Sequence, residues 1–335
     1  MNENLRDRPV FVCGHPKSGT SLLVNLLDGH PELVVFPEEA MFFRRVLPKM
    51  QGLTPEEKIT LAEQTLIHFF EWNIKNPPPS QIGNPESDYS EISYDQIREV
   101  FHSILRDFVP RHDGDLLSAA VMAFGQVSGQ LTEKTHRWVE KTPYNEMYID
   151  EILSFWPDAK LIHIIRDPRD NYVSYVKKHP EWSAPFFAAN WNRFSRIGLE
   201  NGSRYGETKY ALIRYEHLVL ETDNALIKIR KLLGIKDNIA LMTPTKNRKD
   251  WAGNSMFPEK FDRISSNPIG RWRNAKNPGE ISSIEIISRA TMASLDYSLE
   301  QKQTISDYLR VARWYLWRWS LAILKRISPK NQIIK

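Results

Sequence analysis

The chain has 335 residues, of which 41% are hydrophobic and 26% charged, a composition typical of folded globular proteins. It excludes collagen-like and disordered classes, and also disulfide scaffolds, because Cys13 is the only cysteine in the sequence. The net charge of +4 is uneven: residues 301–335 hold eight Lys or Arg and one acid, which leaves −3 for residues 1–300, so we expect no nucleic-acid partner.

Two features of the sequence predict a cytoplasmic location. Residues 1–8 contain no apolar stretch of the signal-peptide type. The single cysteine fits a reducing compartment. No run of about 18 uncharged apolar residues occurs, so we also expect no transmembrane segment.

Five short runs rich in β-branched residues predict strands. Their nearly continuous apolarity is typical of strands that are buried on both faces of a parallel sheet. The runs are Arg8–Gly14, Glu32–Phe36, Arg137–Glu140, Ala159–Ile165 and Lys209–Arg214.

Helical patterns lie between and after these runs. They cover Ser18–Asp28, Pro55–Ile74, Tyr94–Pro110, Glu146–Trp156, Pro168–Lys178, Ala184–Tyr205, Asn224–Leu233 and Ile305–Ile327. The alternation predicts an α/β fold: a three-layer αβα arrangement with a central parallel sheet of about five strands, P-loop-like, plus a helical insertion and a C-terminal helix.

The domain prediction is one domain over residues 1–300, followed by a basic, Trp-rich helix in residues 301–335. Residues 40–136 separate the second and third strands by too many residues for a simple crossover. We therefore expect a helical insertion there, over the carboxyl edge of the sheet. Residues 243–279 are rich in Asn, Pro, Gly and Trp, and an irregular segment of that length is typical of a functional loop.

The first predicted strand ends in a turn suited to an anion, Gly14-His15-Pro16-Lys17-Ser18-Gly19-Thr20-Ser21. Its glycines and final serine keep the P-loop spacing G-x-x-x-x-G-K-[ST], but Thr20 stands at the lysine position and the lysine is Lys17. Backbone N–H groups at the start of the next helix, three hydroxyls and the ammonium group are all donors to phosphate. An ordinary strand–helix turn is the alternative. The displaced lysine argues against Mg²⁺-ATP chemistry.

A second phosphate-binding pattern follows the fourth predicted strand. Arg166 ends that strand, and Ser174 lies eight residues later in the next helix. Ligands of α/β proteins bind at the carboxyl ends of strands, so these two side chains could bind one phosphate together. Taken alone, the segment is also an ordinary helix start, with Asp167 as N-cap and Pro168 as first helical residue.

Together the two segments resemble the sulfotransferases that use 3′-phosphoadenosine 5′-phosphosulfate (PAPS). In that family the first loop binds the 5′-phosphosulfate and the Arg/Ser pair binds the 3′-phosphate. Gly270-Arg271-Trp272-Arg273-Asn274 resembles the family's G-D-W-K-N near the cofactor, and Arg214-Tyr215-Glu216-His217-Leu218 resembles its Y-E-x-L segment. The resemblance covers roughly residues 8–290.

The resemblance implies a PAPS-dependent transfer of a sulfuryl group to a hydroxyl acceptor, with adenosine 3′,5′-bisphosphate as the product. Residues 243–279 would cover the cofactor. The implied cofactor-binding residues are Pro16, Lys17, Ser18, Gly19, Thr20, Ser21, Arg166, Ser174, Tyr215, Ser265, Arg271 and Trp272. One departure is that the family's R-K-G reads Ser265-Ser266-Asn267 here, so hydroxyl and amide donors, with Arg263, would replace its cations.

The family resemblance offers two kinds of general base. Hydroxysteroid- and phenol-type members use the histidine of a K-T-H segment, but here Lys141-Thr142-Pro143 occupies that place. Lys134-Thr135-His136 has the right letters in the wrong register, so we interpret it as a decoy. The tyrosylprotein sulfotransferase branch instead uses the second glutamate of an E-E segment.

The segment Asp28-Gly29-His30-Pro31-Glu32 and then Pro37-Glu38-Glu39-Ala40 resembles that tyrosylprotein branch. Glu39 is therefore the predicted base, with Glu38 and His136 as alternatives. Lys17 would neutralise the leaving phosphate oxygen, and Lys141 would stabilise the sulfuryl oxygens or the same bridging oxygen. The other interpretation is that the two glutamates only add charge to a helix start.

Other interpretations of the whole chain stay open at this point. A P-loop kinase or NTPase is the main alternative, and a nucleotide binder without catalytic activity is another. The acceptor could be a glycan, a small molecule, a lipid or a tyrosine, with glycans and small molecules favoured by a reducing compartment. No metal is predicted, because the nine histidines form no i, i+4 pair and one cysteine makes no thiolate cluster.

The C-terminal pattern Ile305–Ile327 places tryptophan and leucine among arginines, and its longest charge-free stretch, Trp319–Leu324, is too short to span a bilayer. One interpretation is a helix docked on the body of the protein or on a second subunit, with arginine stems over apolar surface. The other is a helix at a membrane interface, peripheral to the inner membrane face.

Overall fold

A computed structural model describes residues 4–68, 70, 91–251, 253, 257, 263–275 and 277–327 of the chain, the last seven by their backbone. It divides the chain into two compact units. The first comprises residues 1–166 and 197–266, and the second comprises residues 167–196 and 267–335. Parts of the predicted helix Pro55–Ile74 and of the predicted loop 243–279 lie outside the described residues.

The first unit is built on a sheet of five parallel strands in the order β2-β3-β1-β4-β5. The strands are β1 (Pro9–Cys13), β2 (Leu33–Val35), β3 (Arg137–Lys141), β4 (Lys160–Ile165) and β5 (Tyr210–Arg214). Each coincides with one of the five predicted runs. The predicted α/β fold with a central parallel sheet and flanking helices is therefore confirmed.

The register of the central strands aligns their carboxyl ends. Val12 of β1 lies beside Lys141 of β3 on one side and beside Ile162 of β4 on the other. Because the strands are parallel, the segments that follow β1, β3 and β4 leave the sheet at the same edge. That edge is where ligands of open α/β sheets bind.

The helices are α1 (Thr20–Leu27), α2 (Pro55–Ala62), α3 (Tyr94–Asp107), α4 (Gly114–Val127), α5 (Ile149–Phe155), α6 (Pro168–Val176), α7 (Ala184–Tyr205), α8 (Tyr215–Leu220), α9 (Thr222–Leu233), α10 (Pro278–Ser294) and α11 (Ile305–Ile327). The sequence patterns predict neither α8 nor α10, and they cover α4 only through the helical insertion expected over residues 40–136, without bounds of its own. In α4 all residues from Gly114 to Gly125 are buried, so the helix has no polar face to produce an amphipathic pattern. None of the helices in the described part of the chain is long and apolar enough to cross a membrane.

The two faces of the sheet are covered by different helices. Phe11, Trp138 and Leu161 point to one face, where they form the main core with residues of α3 and α4. Successive strand residues point to opposite faces, so Val10 and Val12 lie on the other face. Helix α1 contacts β1 and β3 in the first unit, and α9 contacts β4 and β5.

The second unit contains a buried arginine centre around Arg169 of α6. The Arg169 guanidinium donates to Asp167 and to Glu285, at 2.7 and 2.6 Å, and lies 4.0 Å from the centre of the Trp272 ring. The neighbouring Asp170 carboxylate accepts the backbone N–H of Trp272 at 3.0 Å. Charged groups are therefore matched by hydrogen-bonding partners in the interior of this unit.

Candidate active site

The turn after β1 depends on two glycines. Gly14 has φ +134°, and a Cβ there would lie 2.3 Å from the carbonyl oxygen of Ile164. Gly19, with φ +107°, lies against the ring of Tyr215, where a Cβ would approach a ring carbon to 2.4 Å. Both positions combine a left-handed backbone with a close approach, so only glycine fits them.

Arg166 holds this turn from the end of β4. Its Nη1 donates to the carbonyl oxygen of Lys17 at 3.2 Å, and its guanidinium lies 4.8 Å from the centre of the Tyr215 ring. Lys17 itself has φ +68°, a strained conformation for a residue with a side chain. Three of the predicted cofactor-binding residues are thus in contact with one another.

The turn also has the donor chemistry that a phosphate group needs. The N–H of Ser18 closes a tight turn onto the carbonyl oxygen of His15 at 3.1 Å, and α1 begins directly afterwards at Thr20. The Ser18 hydroxyl is buried and has no hydrogen-bond partner among the described residues. The predicted cofactor carries a 5′-phosphosulfate. Suitable hydrogen-bond donors to it are the start of α1, the Ser18 hydroxyl and Lys17.

The predicted base and its partner lysine meet at the same edge of the sheet. Lys141 Nζ, at the end of β3, donates to Glu39 Oε1 over 2.5 Å. The side chains keep 14% and 32% of their surface accessible, so this ion pair is open to an incoming molecule. It joins a proton acceptor and a cation that are 102 positions apart in the sequence.

A buried carboxylate beneath this pair, which we did not predict as a site residue, holds the backbone next to Glu39. Glu140 Oε1 accepts the N–H of Ala40 at 3.0 Å and the hydroxyl of Thr142, and its Oε2 accepts Asn145 Nδ2 at 3.1 Å. Burial raises the pKa of Glu140 to about 7. The sequence signal for this residue was a glutamate at a buried position of an apolar strand.

Contacts between aromatic and basic side chains connect the segments after β1, β2 and β3. The Tyr144 ring, which follows β3, lies edge-on to the His15 ring with 5.7 Å between centroids. The Arg44 guanidinium, which follows Glu39 in the chain, lies 6.0 Å from the centre of the Tyr144 ring. The segment that contains the turn therefore contacts the segments that follow Glu39 and Lys141.

The two alternative bases lie in different surroundings. Glu38 Oε1 accepts Lys246 Nζ at 2.8 Å, and Lys246 belongs to a short hairpin of β6 (Thr245–Lys246) and β7 (Lys249–Asp250). His136 directly precedes β3, at the end of the strand opposite to Lys141. The structure thus separates His136 from the carboxyl edge of the sheet.

The remaining predicted cofactor residues are Pro16, Ser21, Ser174, Ser265, Arg271 and Trp272. Pro16 and Ser21 lie in the turn described above. Ser174 is on α6. Trp272 is buried, and the centre of its ring lies 4.0 Å from the Arg169 guanidinium and 4.8 Å from the Arg273 guanidinium. Arg271 Nε donates to the carbonyl oxygen of Asn267 at 3.2 Å. The roles of Ser174, Ser265, Arg271 and Trp272 toward a cofactor stay predictions.

One group of potential metal ligands was not apparent from the sequence. Cys13, Glu146 and His163 are buried in the first unit, with their ligand atoms within 4.8 Å of one another. Burial raises the pKa of the Cys13 thiol well above its usual range and that of Glu146 to about 7, and lowers that of His163 to about 3. The neutral forms are thus favoured, whereas metal binding requires a thiolate. That the chain needs no metal stays a prediction.

Comparison with known proteins identifies the family of this chain. A family model described as "Sulfotransferase family" matches residues 9–238, which include the turn, Glu39, Lys141 and Arg166. A protein-tyrosine sulfotransferase A of Caenorhabditis elegans is 23% identical over 68% of this chain and 50% of its own length. An omega-hydroxy-beta-dihydromenaquinone-9 sulfotransferase of Mycobacterium tuberculosis is 23% identical over 70% of this chain and 64% of its own length.

Solved structures show the same fold. The sulfotransferase domain of a Synechococcus olefin synthase superposes with a TM-score of 0.56 and 18% identity, covering 90% of this chain and 98% of that domain. At this level of identity the likeness concerns the fold alone. The chain spans only half to about two thirds of the two curated relatives named above.

Proposed function

Because the chain belongs to the sulfotransferase family, we propose that it transfers the sulfuryl group of PAPS to a hydroxyl-bearing acceptor, with Glu39 as the general base. The observation that carries this proposal is the hydrogen bond between Lys141 and Glu39 at the carboxyl edge of the sheet. It supplies a partly exposed carboxylate beside a cation, at the edge of the sheet where the turn after β1 also lies. Proton removal and charge stabilisation can therefore occur at one place.

The donor, when bound, supplies a sulfuryl group attached to a phosphate leaving group. The turn 14–21 would bind its 5′ end through backbone N–H groups, hydroxyls and Lys17. Arg166 and Tyr215, which lie together against that turn, would contact the nucleotide. The resemblance adds Ser174, Ser265, Arg271 and Trp272 to the proposed binding site.

The transfer assigns one task to each side chain. Glu39 accepts the proton of the acceptor hydroxyl as that oxygen bonds to sulfur and the bond between sulfur and the phosphate oxygen breaks. Lys17 neutralises the charge that develops on the departing phosphate oxygen. Lys141 stabilises the sulfuryl oxygens and keeps the Glu39 carboxylate in position.

For the acceptor we propose a glycan, a small molecule or a lipid in preference to a peptide tyrosine. The names of the two relatives describe a protein-tyrosine and a hydroxylated menaquinone acceptor, so the family includes both peptide and lipid chemistry. The single cysteine of this chain fits a reducing compartment, where secreted peptide acceptors are not found.

The cofactor assignment is tested by thermal unfolding with adenosine 3′,5′-bisphosphate or AMP. A ligand that binds only the folded state stabilises it by about 2.7 kcal/mol at a hundred times its Kd, so we expect the bisphosphate to raise Tm more than AMP does. Arg166→Ala should abolish that difference. Arg8→Ala, which removes a cation before β1 at the opposite edge of the sheet, is the matched control and should preserve it. Equal stabilisation of the wild-type protein by both nucleotides would contradict the assignment.

The activity itself is tested with sulfur-labelled PAPS and a panel of glycan, phenol, lipid-alcohol and tyrosine-peptide acceptors. We expect label to move to at least one hydroxyl acceptor and this transfer to depend on Glu39. Transfer of labelled phosphate from ATP to the same panel, with none from PAPS, would instead support the kinase alternative.

A further inference from the structure

Over residues 305–320, where the structure describes its side chains, helix α11 of the second unit is buried along one face. Asp307 and Val311, one turn apart, are 5% and 6% exposed, and α11 contacts α10 in this unit. Arg310 Nη1 donates to Asp307 Oδ1 at 3.0 Å beside the start of α10 at Gly279. The first two turns of α11 therefore contact α10 in this unit.

The opposite face of α11 is apolar and exposed. Ile305, Leu309, Ala312, Leu316 and Trp319 follow one another at intervals of four and three residues, which places them along one side of a helix. The exposed fractions of Ile305, Leu309, Leu316 and Trp319 are 82%, 58%, 65% and 67%. We refer to these five residues as the outer stripe. In the sequence the same spacing continues with isoleucine at 323 and 327.

Aromatic and basic side chains border the outer stripe. At 3.6 residues per turn, Arg313 and Trp317 fall on one side of it and Tyr308 and Tyr315 on the other. Trp317 is 57% exposed, and the two tyrosines are 48% and 50% exposed. Between residues 301 and 335 the only acid is Asp307, against eight lysines and arginines.

We propose that the outer stripe binds the surface of an anionic lipid bilayer, with α11 lying in the plane of the interface. Apolar side chains along one side, Trp and Tyr beside them and cations around them are the composition of an interfacial helix. A second copy of the chain is the other apolar occupant to consider. It would bring two equally basic helices together along the stripe, and their like charges would repel, whereas an anionic bilayer attracts them.

The test is co-sedimentation of the full chain with vesicles of phosphatidylcholine, alone or with about 30% phosphatidylglycerol. We expect binding to the anionic vesicles and a loss of about tenfold or more in the partition coefficient when NaCl rises from about 50 mM to about 500 mM. The triple variant Leu309→Gln, Leu316→Gln, Trp319→Gln should lose binding by at least about tenfold. Arg313→Gln, which removes the cation beside the stripe, should reduce binding to anionic vesicles by about fivefold.

The matched control is a triple variant at Val109, Leu220 and Ile239, each changed to Gln, since these side chains of the first unit are 79%, 62% and 82% exposed. It removes a similar exposed apolar surface and should bind vesicles like the wild-type chain. A wild-type chain that stays in the supernatant with anionic vesicles at low salt would overturn the proposal. Sedimentation velocity in which the stripe variant converts a dimer to a monomer, without vesicle binding by the dimer, would assign the stripe to a second copy instead.

Discussion

Two ion pairs of this protein, one in each unit, differ in how accessible they are to other molecules. In the second unit Arg169 is buried, donates to two carboxylates and stacks on Trp272. In the first unit Lys141 donates to Glu39, and both side chains keep part of their surface exposed. The guanidinium of Arg169 uses its hydrogen-bonding groups on partners in its own unit. The exposed surface of Lys141 and Glu39 can also contact a bound molecule.

The same difference distinguishes a structural arginine from one that is proposed to bind the cofactor, although both lie in one short segment. Arg166 and Arg169 are three residues apart and look alike in the sequence. Arg169 connects α6 to Glu285 in its own unit, while Arg166 holds the backbone of the turn after β1 and lies over Tyr215. Removing a matched buried charge destabilises the fold because its partners are left unpaired, whereas a charge at the carboxyl edge of the sheet lies where ligands of this fold bind.

The largest effect is expected for Glu39→Gln. Removing a positioned general base should lower turnover by about 10²–10⁴-fold, whereas affinity for adenosine 3′,5′-bisphosphate and Tm should remain near wild type. Steady-state kinetics and thermal shift on the same preparation measure both quantities.

The matched control is Glu38→Gln, which removes the adjacent carboxylate and its contact with Lys246. We expect its turnover to fall far less than that of Glu39→Gln. If the two variants were equally inactive, the proposal that Glu39 and not Glu38 is the base would be refuted.

The opposite behaviour is expected for Arg169→Met. Breaking a buried pair leaves Glu285 and Asp167 without their cation, so the free energy of unfolding should fall by about 3–5 kcal/mol. Urea denaturation measures it. Lys141→Met, the parallel change in the partly exposed pair, should cost only about 1 kcal/mol or less while reducing turnover. A stable Arg169→Met protein would refute the structural role of that centre.

A smaller effect is expected for Glu140→Gln, which alters the carboxylate that holds the backbone after Glu39. We expect kcat to decrease about tenfold because Glu39 is less well positioned, with little change in affinity for the bisphosphate. A kcat equal to that of the wild-type chain would show that Glu140 does not position the base.

The same variant has a pH signature in its stability. The folded-state pKa of Glu140 is about 7, above its ordinary value of 4.5, so its contribution to stability is complete below about pH 4.5 and is lost as the pH rises through 7. Glu140→Gln should therefore show a smaller decrease in Tm between pH 5 and pH 8 than the wild-type chain. Part of the decrease should persist, because burial also raises the pKa of Glu146 to about 7.

Local patterns in the sequence were sufficient for the sheet and for most helices, whereas the candidate site residues came from the family resemblance and stay predictions. The five apolar runs predicted the strands because burial on both faces leaves a continuous local signal. The glycines and hydroxyls after β1 predicted an anion-binding turn. This signal is also local, because the required backbone conformation is encoded within eight neighbouring residues. The span Ile305–Ile327 was predicted with the bounds that the structure has.

Only the tertiary structure decided which distant residues meet. The order of strands places β3 between β2 and β1, and this arrangement brings Lys141 to Glu39 and Glu140 beneath the backbone that follows. The bounds of α4 within the predicted insertion 40–136 were not predicted, because a helix buried on all sides has no amphipathic period. Whether a charge is matched in the interior or left at an accessible edge depends on desolvation by segments far away in the chain, and no local pattern carries that information.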